Sequence, residues 1–174
     1  MVIHIFGAAG SGTTTLAKAY AKKHGYTHID VDDFYWLDTF IPFTVSRPKE
    51  ERVRLLKEKI EECGNCVVSG ALCVWGDELI PYFDKVIKLE TPTEIRIKRL
   101  RERESVRFGE RIKEGGDMYY NHLRFIEWAS VYDNGGIEVR SNLLHNHWLK
   151  KVHCSVYVLD GTLPVEELIE KIEL

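Results

Sequence analysis

The sequence has no apolar run approaching the roughly 20 residues that a membrane-spanning helix requires. Its first apolar stretch, VIHIF, stops after five residues with no basic segment before it, so no signal peptide is expected and the expected compartment is the cytoplasm. Cysteine is scarce: Cys63, Cys66, Cys73 and Cys154 are the full set. Without an export signal they read as reduced thiols. Cys63 and Cys66 form a CxxC, but no second CxxC and no nearby CxH supplies the other two ligands of a structural zinc, so a core role is expected for the pair. Excess positive charge is also missing. Lys plus Arg number 24 against 27 Asp plus Glu, a net charge of −3, which excludes a generally basic nucleic-acid coat. There is no repeat and no low-complexity linker. At 174 residues, 44% apolar and 29% charged, the chain has the length and balance of one globular domain.

Strand-like and helix-like stretches alternate along it. Residues 2–6 (VIHIF), 26–31 (YTHIDV), 66–70 (CVVSG), 85–89 (KVIKL) and 154–159 (CSVYVL) read as short strands, with 66–70 and 85–89 buried. Helices are expected over 13–24, over 48–62 with Pro48 in the first turn, over 91–104 with Thr91 as cap, over 117–132, from the cap Ser141 to 151, and over 163–172. Five apolar strands separated by helices imply βαβ units and a parallel sheet covered on both faces, an α/β fold. His145 and His147 are alternate residues on a helix and point apart, which favours structural roles over a metal site.

The strongest local signal is Gly7-Ala8-Ala9-Gly10-Ser11-Gly12-Thr13-Thr14-Thr15, between the first strand and the first helix. Glycines let the backbone curl so that successive N–H groups converge on phosphate oxygens, and the following helix N-terminus adds positive potential. The spacing fits G-x-x-x-x-G-K-[ST] at every fixed position but one, with Thr14 placed to hold Mg²⁺ and Thr13 standing where the Lys belongs. That Lys ordinarily reaches the β- and γ-phosphates. Its absence leaves open a protein that binds nucleotide without catalysis, replacement by another cation, or a different ligand. Gly7, Gly10 and Gly12 also approximate a dinucleotide-binding turn, with Asp30 or Asp32 at the distance of a ribose-binding acid, although Thr15 stands where the last Gly of that motif belongs.

Two further groups carry chemistry. Asp30, Asp32 and Asp33 follow the second strand, at the sheet edge where open α/β folds bind ligands. In an extended segment Asp30 and Asp32 share a side, where a carboxylate holds Mg²⁺ or deprotonates a substrate hydroxyl. The other group is a run of eight cations, Arg96, Lys98, Arg99, Arg101, Arg103, Arg107, Arg111 and Lys113, diluted by Glu102, Glu104 and Glu110. Such runs are usually solvated faces. Arg99 and Arg103 share a helix face within reach of polyphosphate at the loop, and Arg140 is a further candidate for closing over phosphates.

With these pieces in place, the sequence resembles the adenylate-kinase-like P-loop kinases, which include nucleoside monophosphate, shikimate and gluconate kinases. The resemblance covers the loop, the Asp-rich end of the second strand, VVSGA (67–71), KVIKLETPTEIRIKRLRERE (85–104) and LDGTLPVEEL (159–168). It implies a three-layer fold, a five-stranded parallel sheet in the order 2-3-1-4-5, and one domain over 1–174. The acceptor would meet the segment at about 33–60, and a helical lid would cover about 105–135. It implies ATP and Mg²⁺ as ligands, with Gly7 to Thr15 cradling phosphates, Thr14 and Asp32 at the metal and Arg99 packing against the base. Gly161 and Thr162 would line the base loop, Asp32, Arg103 and Arg140 would be catalytic, and Asp30, Arg47 and Arg52, with Arg54, would meet the acceptor. The expected reaction is transfer of the γ-phosphoryl of ATP to a small molecule or nucleotide, with a catalytically silent nucleotide binder as the alternative. The lid segment is longer and more aromatic than a minimal kinase lid, and the acceptor, the preferred base and the oligomeric state stay open.

Overall fold

The computed structural model describes residues 1–173. Five strands form one all-parallel sheet in the order β2-β3-β1-β4-β5. They are β1 (Val2–Gly7), β2 (Thr27–Asp30), β3 (Cys66–Ser69), β4 (Lys85–Glu90) and β5 (Ser155–Asp160). Strand β1, at the centre, is buried at all six positions, which is why VIHIF reads as a continuous apolar run rather than an alternating one.

Alternation sends successive side chains to opposite faces. Phe6, Val68 and Val86 meet one core under α3 (Lys49–Cys63) and α6 (Asn142–Leu149), through Leu56 and Trp148. Ile3, Ile5, Val67 and Ile87 meet another under α1 (Thr13–His24) and α7 (Val165–Glu173), through Leu16 and Leu168. The apolar stripe of α3 is Val53, Leu56 and Ile60. Cys66 and Cys73 lie in the first core and Cys63 packs against it. Burial pushes the Cys66 thiol up to about 11 and the Cys73 thiol up to about 12, so both stay protonated at neutral pH.

The chain leaves β1 towards β2 and β3, and later leaves β4 towards β5 on the opposite side. The sheet therefore has a switch point between β1 and β4, and its crevice opens beyond their carboxyl ends. One short helix, α2 (Asp32–Tyr35), and a long one, α4 (Thr93–Phe108), stand over this edge. A further helix, α5 (Tyr119–Ser130), packs its Ile126 and Ala129 on Leu100 of α4, with Ala9 of the glycine loop against the same cluster.

Three local expectations need correction. Thr91 does not cap α4; Pro92 precedes the helix and the Thr91 hydroxyl instead donates to Ser11 O at 3.3 Å. The helix also runs on to Phe108, so the segment at 105–135 begins inside α4. Finally, Val31 is helical and Asp32 opens α2, so the strand alternation that would put Asp30 and Asp32 on one side stops at Asp30. By contrast, Ser141 caps α6 as expected, its Oγ accepting from Leu144 N at 3.0 Å.

Candidate functional site

The glycine loop is held from behind by its carbonyls. Ala8 O accepts from Ser11 N at 3.1 Å and Ser11 Oγ at 2.8 Å. Ala9 O accepts from Arg96 Nη1 at 3.4 Å, and Ser11 O from Thr91 Oγ1 at 3.3 Å and Arg99 Nη1 at 3.4 Å. In a planar trans peptide the N–H points opposite to the C=O. Carbonyls drawn back therefore aim the N–H groups of Ala9, Gly10 and Gly12 forward, beside the unpaired first turn of α1.

The glycines divide between two jobs. A Cβ on Gly7 would stand 2.6 Å from Leu89 O, and one on Gly10 2.7 Å from Arg96 O, so these two let the loop seat against β4 and α4. Gly12 is different. Its φ is +99°, and a Cβ there would approach only Arg99 Nη1, at 3.8 Å. The space in front of Gly12 is open, and a side chain would fill the hollow that a phosphate needs.

The acids converge on the same place. Thr14 Oγ1 donates to Asp30 Oδ2 at 3.3 Å, and Asp32 N donates to Asp30 Oδ1 at 3.1 Å. Asp32 is exposed in the crevice, yet enough protein surrounds its carboxyl to raise its pKa above the ordinary carboxylate range. Desolvation is the main cause, followed by the charge of Asp30, while Arg140 and Arg103 pull the other way. Thr14, Asp30, Asp32, Arg103 and Arg140 thus surround one volume. The oxygen set of Thr14, Asp30 and Asp32 is hard and anionic, the donor type that suits Mg²⁺. Arg140 rests over Trp128, its Cζ 5.4 Å from the ring centroid, and Arg103 lies 5.9 Å from that of Phe125. Both aromatic rings belong to α5.

Two cavities open at this edge. One of about 240 Å³ is lined by Gly12, Thr15, Arg99, Gly161 and Leu163. Arg99 Nη1 spans it to Gly161 O at 3.1 Å, and Gly161 has no room for a Cβ, which would lie 2.2 Å from Thr91 Oγ1. Thr162 turns away and bonds Asp160 through both its N and its Oγ1. The other cavity, about 460 Å³, is bordered by Glu90, Asp133 and Asp160. Both cavities reach the loop, the larger at Ala8 and the smaller at Ser11, Gly12 and Thr15; the acidic wall of the larger disfavours polyphosphate, and the residues lining the smaller include no acid.

A family model described as an AAA domain matches residues 3–118. The chain belongs to this P-loop family. Within it, the fold and relatives place the protein with the nucleoside-monophosphate and shikimate kinase-like P-loop proteins. A cytidylate kinase of Thermococcus kodakarensis is 32% identical over 152 residues, covering 76% of this chain and 77% of that one. A Bacillus subtilis protein described as "Uncharacterized protein YqaC" is 44% identical over 170 residues, 98% of this chain and 94% of its own. Among solved structures, a shikimate kinase from Bacteroides thetaiotaomicron superposes with a TM-score of 0.57 at 20% identity, covering 100% of this chain and 99% of that one. The P-loop assignment removes the dinucleotide-binding alternative.

The segment that follows β2 holds what the sequence did not reveal. Residues 36–47 form a hairpin-like flap, with Trp36 bridged to Ser46 and Leu37 N donating to Val45 O at 2.9 Å. Its tip leans on the end of α4. Arg107 stacks on Phe43 at 4.7 Å, and Arg111 lies 5.5 Å from the Phe40 ring while donating to Phe40 O at 3.2 Å. Arg111 also pairs with Asp117 at 2.8 Å. Of the three arginines expected to meet an acceptor, Arg47 has its Nε and Nη1 engaged by Phe34 O and Glu51, and Arg54 pairs with Glu58 along exposed α3. Arg52 alone offers a fork. Its Nε donates to Arg47 O at 2.6 Å, its Cζ lies 4.0 Å from the Tyr35 ring centroid and 5.5 Å from that of Trp75, and neither Nη donates to a protein group among the described residues.

Proposed function

We propose that the protein is an ATP- and Mg²⁺-dependent kinase that transfers the γ-phosphoryl of ATP to a small molecule or nucleotide. The observation that carries this reading is the forward-aimed N–H cradle ending at Thr14, Asp30 and Asp32, with two arginine charges across the same volume. Arg99 and Gly161 border the smaller cavity, which would take the base. Arg52, fixed by stacking, presents a bidentate donor to an anionic acceptor, and the rings of Tyr35 and Trp75 that flank it, with Trp36 packed on Tyr35, suit a planar one. A nucleoside monophosphate combines both properties, and the cytidylate kinase relatives make CMP the first to try.

Catalysis would be positioning and charge stabilisation. Asp32, with its raised pKa, is suited to take a proton on a carboxylate oxygen from the acceptor group. Arg103 and Arg140 would face the transferring phosphoryl, with the segment at 105–135 acting as a lid that excludes water. Thr14 and Asp32, with Asp30 behind them, would hold Mg²⁺, which would offset phosphate charge.

Thr13 in place of the loop Lys favours a second reading, a nucleotide binder without turnover. A phosphoryl-transfer screen with ATP and Mg²⁺ over CMP, the other nucleoside monophosphates, shikimate and gluconate separates the two. Turnover with any of them supports the kinase. ATP binding by calorimetry with turnover of none supports the silent binder, and absence of ATP binding overturns both.

A further inference from the structure

Seven of the eight cations between Arg96 and Lys113 keep some access to solvent; Arg96 has none. Its five N–H donors meet five acceptors: Thr91 O at 3.0 Å, Ala129 O at 3.1 Å, Ala9 O at 3.4 Å, Thr93 Oγ1 at 2.7 Å and Asp133 Oδ2 at 3.4 Å. The Tyr132 ring covers it at 5.1 Å. Three of these acceptors are neutral main-chain carbonyls. The single carboxylate, Asp133, is 46% exposed and at the long end of hydrogen-bond range. The guanidinium is thus well hydrogen-bonded but poorly neutralised. Burying such a charge is costly, and a neutral side chain would fill the space without that cost.

The position of the charge supplies a reason for it. Arg96 stands directly behind the glycine loop, where Gly10 packs against its main-chain oxygen. It holds the Ala9 carbonyl, and because Ala9 C=O and Gly10 N–H belong to one planar peptide, this aims Gly10 N–H to the front. It also binds the last turn of α5 at Ala129. The loop in front of it lacks the cation that the motif ordinarily carries at position 13.

We propose that Arg96 is a positioning residue that gives this lysine-free loop both its aim and part of its positive potential, acting from behind through the Ala9–Gly10 peptide. The proposal rests on the nucleotide-binding reading of the site. It concerns ground-state affinity for the triphosphate, whereas the front-side Arg103 and Arg140 act on transfer. No contact between Arg96 and ligand is involved.

The test is calorimetric titration with ATP and with inorganic triphosphate, which isolates the phosphate part, together with amide exchange at residues 9–12 of the free protein. Arg96→Gln should weaken both ligands roughly tenfold or more, the scale of a lost charge-assisted interaction, and speed exchange at Gly10. Thr13→Lys placed in that variant should restore most of the affinity without restoring the melting temperature. A purely structural arginine would not be rescued by a residue on the front of the loop.

Should Arg96→Gln fail to fold, Asp133→Asn keeps the buried cation and removes the one carboxylate paired with it among the described residues. It should tighten ATP two- to threefold, while a structural role predicts no change or weakening. Equal affinities in wild type and in every folded variant overturn the proposal. Absence of ATP binding by the wild type overturns the nucleotide reading instead.

Discussion

The two halves of the crevice are built from different materials. On the nucleotide side the main chain does the work: three carbonyls of the loop are held back, and Gly7, Gly10 and Gly161 fit where a Cβ would strike Leu89 O, Arg96 O or Thr91 Oγ1. On the acceptor side, side chains from distant segments lean on one another, Arg107 on Phe43 and Arg111 on Phe40, with Phe40 itself 86% exposed. Exposed cation–π pairs contribute only about 0.5–1 kcal/mol each. The first half is fixed by covalent geometry and close packing, and the second by a few weak contacts that ligand can rearrange. On the proposed reading, one half would recognise a constant group, phosphate, and the other a variable one.

The largest expected effect separates the two glycine roles. Gly12→Val should remove measurable ATP binding, a loss of roughly a hundredfold or more, because the side chain enters the phosphate hollow and the left-handed backbone resists it. Its Cβ meets little of the protein, so stability should fall by only the left-handed strain, about 1–2 kcal/mol. Gly10→Val should do the reverse in proportion, with a larger loss of stability from the 2.7 Å clash with Arg96 O. Calorimetry and thermal melts on both variants check this. Equal stability losses would mean that the loop is not seated as described.

The same contrast explains what was legible in the sequence. The glycine spacing, the Asp-rich end of β2 and the alternation of strands and helices follow from local rules about turns, periodicity and sheet edges, and they locate the loop, Thr14, Asp30 and Asp32; the strand order followed only from the family resemblance. The sequence pattern treated Arg96 as one of a solvated run; its burial comes from distant segments, the glycine loop at Ala9, Ala129 at the end of α5 and the Tyr132 ring. Arg47 and Arg52 look alike in sequence as well. Their difference arises because Phe34 O and Glu51 occupy one fork while Tyr35 and Trp75 flank the other. The flap tip was unreadable because its partners, Arg107 and Arg111, lie on another element.

A second effect falls on turnover rather than on binding and tests the charge in front of the loop. Arg103 is exposed, bonded to Glu104 at 3.1 Å, and free to swing. Arg103→Ala should lower turnover on an identified acceptor roughly 10³-fold while changing ATP affinity little, because an arginine acting on a transferring phosphoryl group strengthens its contacts in the transition state. Steady-state kinetics alongside calorimetry measures the split. Full turnover in the variant would remove Arg103 from the mechanism and leave the task to Arg140.

A smaller effect tests the core beneath both halves. His4 stacks on Phe6 and Phe83, and His145 tilts against Phe6 while its Nδ1 lies 2.8 Å from Tyr132 OH. Burial lowers both to about 3 from the usual 6.5, and in each Nε2 has no hydrogen-bond partner among the described residues. Below pH 6.5 the unfolded chain takes up protons that the folded core refuses. Stability therefore falls as pH drops from about 6.5 towards 3, and these two groups add no slope above that range. At pH 5 each contributes a loss of about 2 kcal/mol. Urea melts at pH 7 and pH 5 should show the drop, and His145→Gln, which keeps an acceptor for Tyr132, should reduce it by about half.

The smallest effect concerns a turn on the acceptor side. Val74 lies between β3 and the 3-10 turn at Asp77–Tyr82, with φ +77° and its side chain 71% exposed. The turn is tied at its ends by Trp75 N and Gly76 N on Leu72 O at 3.2 and 2.8 Å, so the conformation is imposed on a β-branched residue that resists it. Left-handed strain costs about 1–2 kcal/mol in such a residue, and glycine removes it while adding about 0.5–1 kcal/mol of unfolded-state entropy. Val74→Gly should therefore stabilise the fold by up to about 1 kcal/mol, a rise of about 2–4 °C for a chain of this size. Val74→Ala, which shortens the side chain but keeps the forced backbone, should gain much less. An equal gain with both would place the cost in the exposed isopropyl group rather than in the backbone. A gain with glycine alone would show that this turn, unlike the glycine loop across the crevice, carries its strained conformation without the residue suited to it.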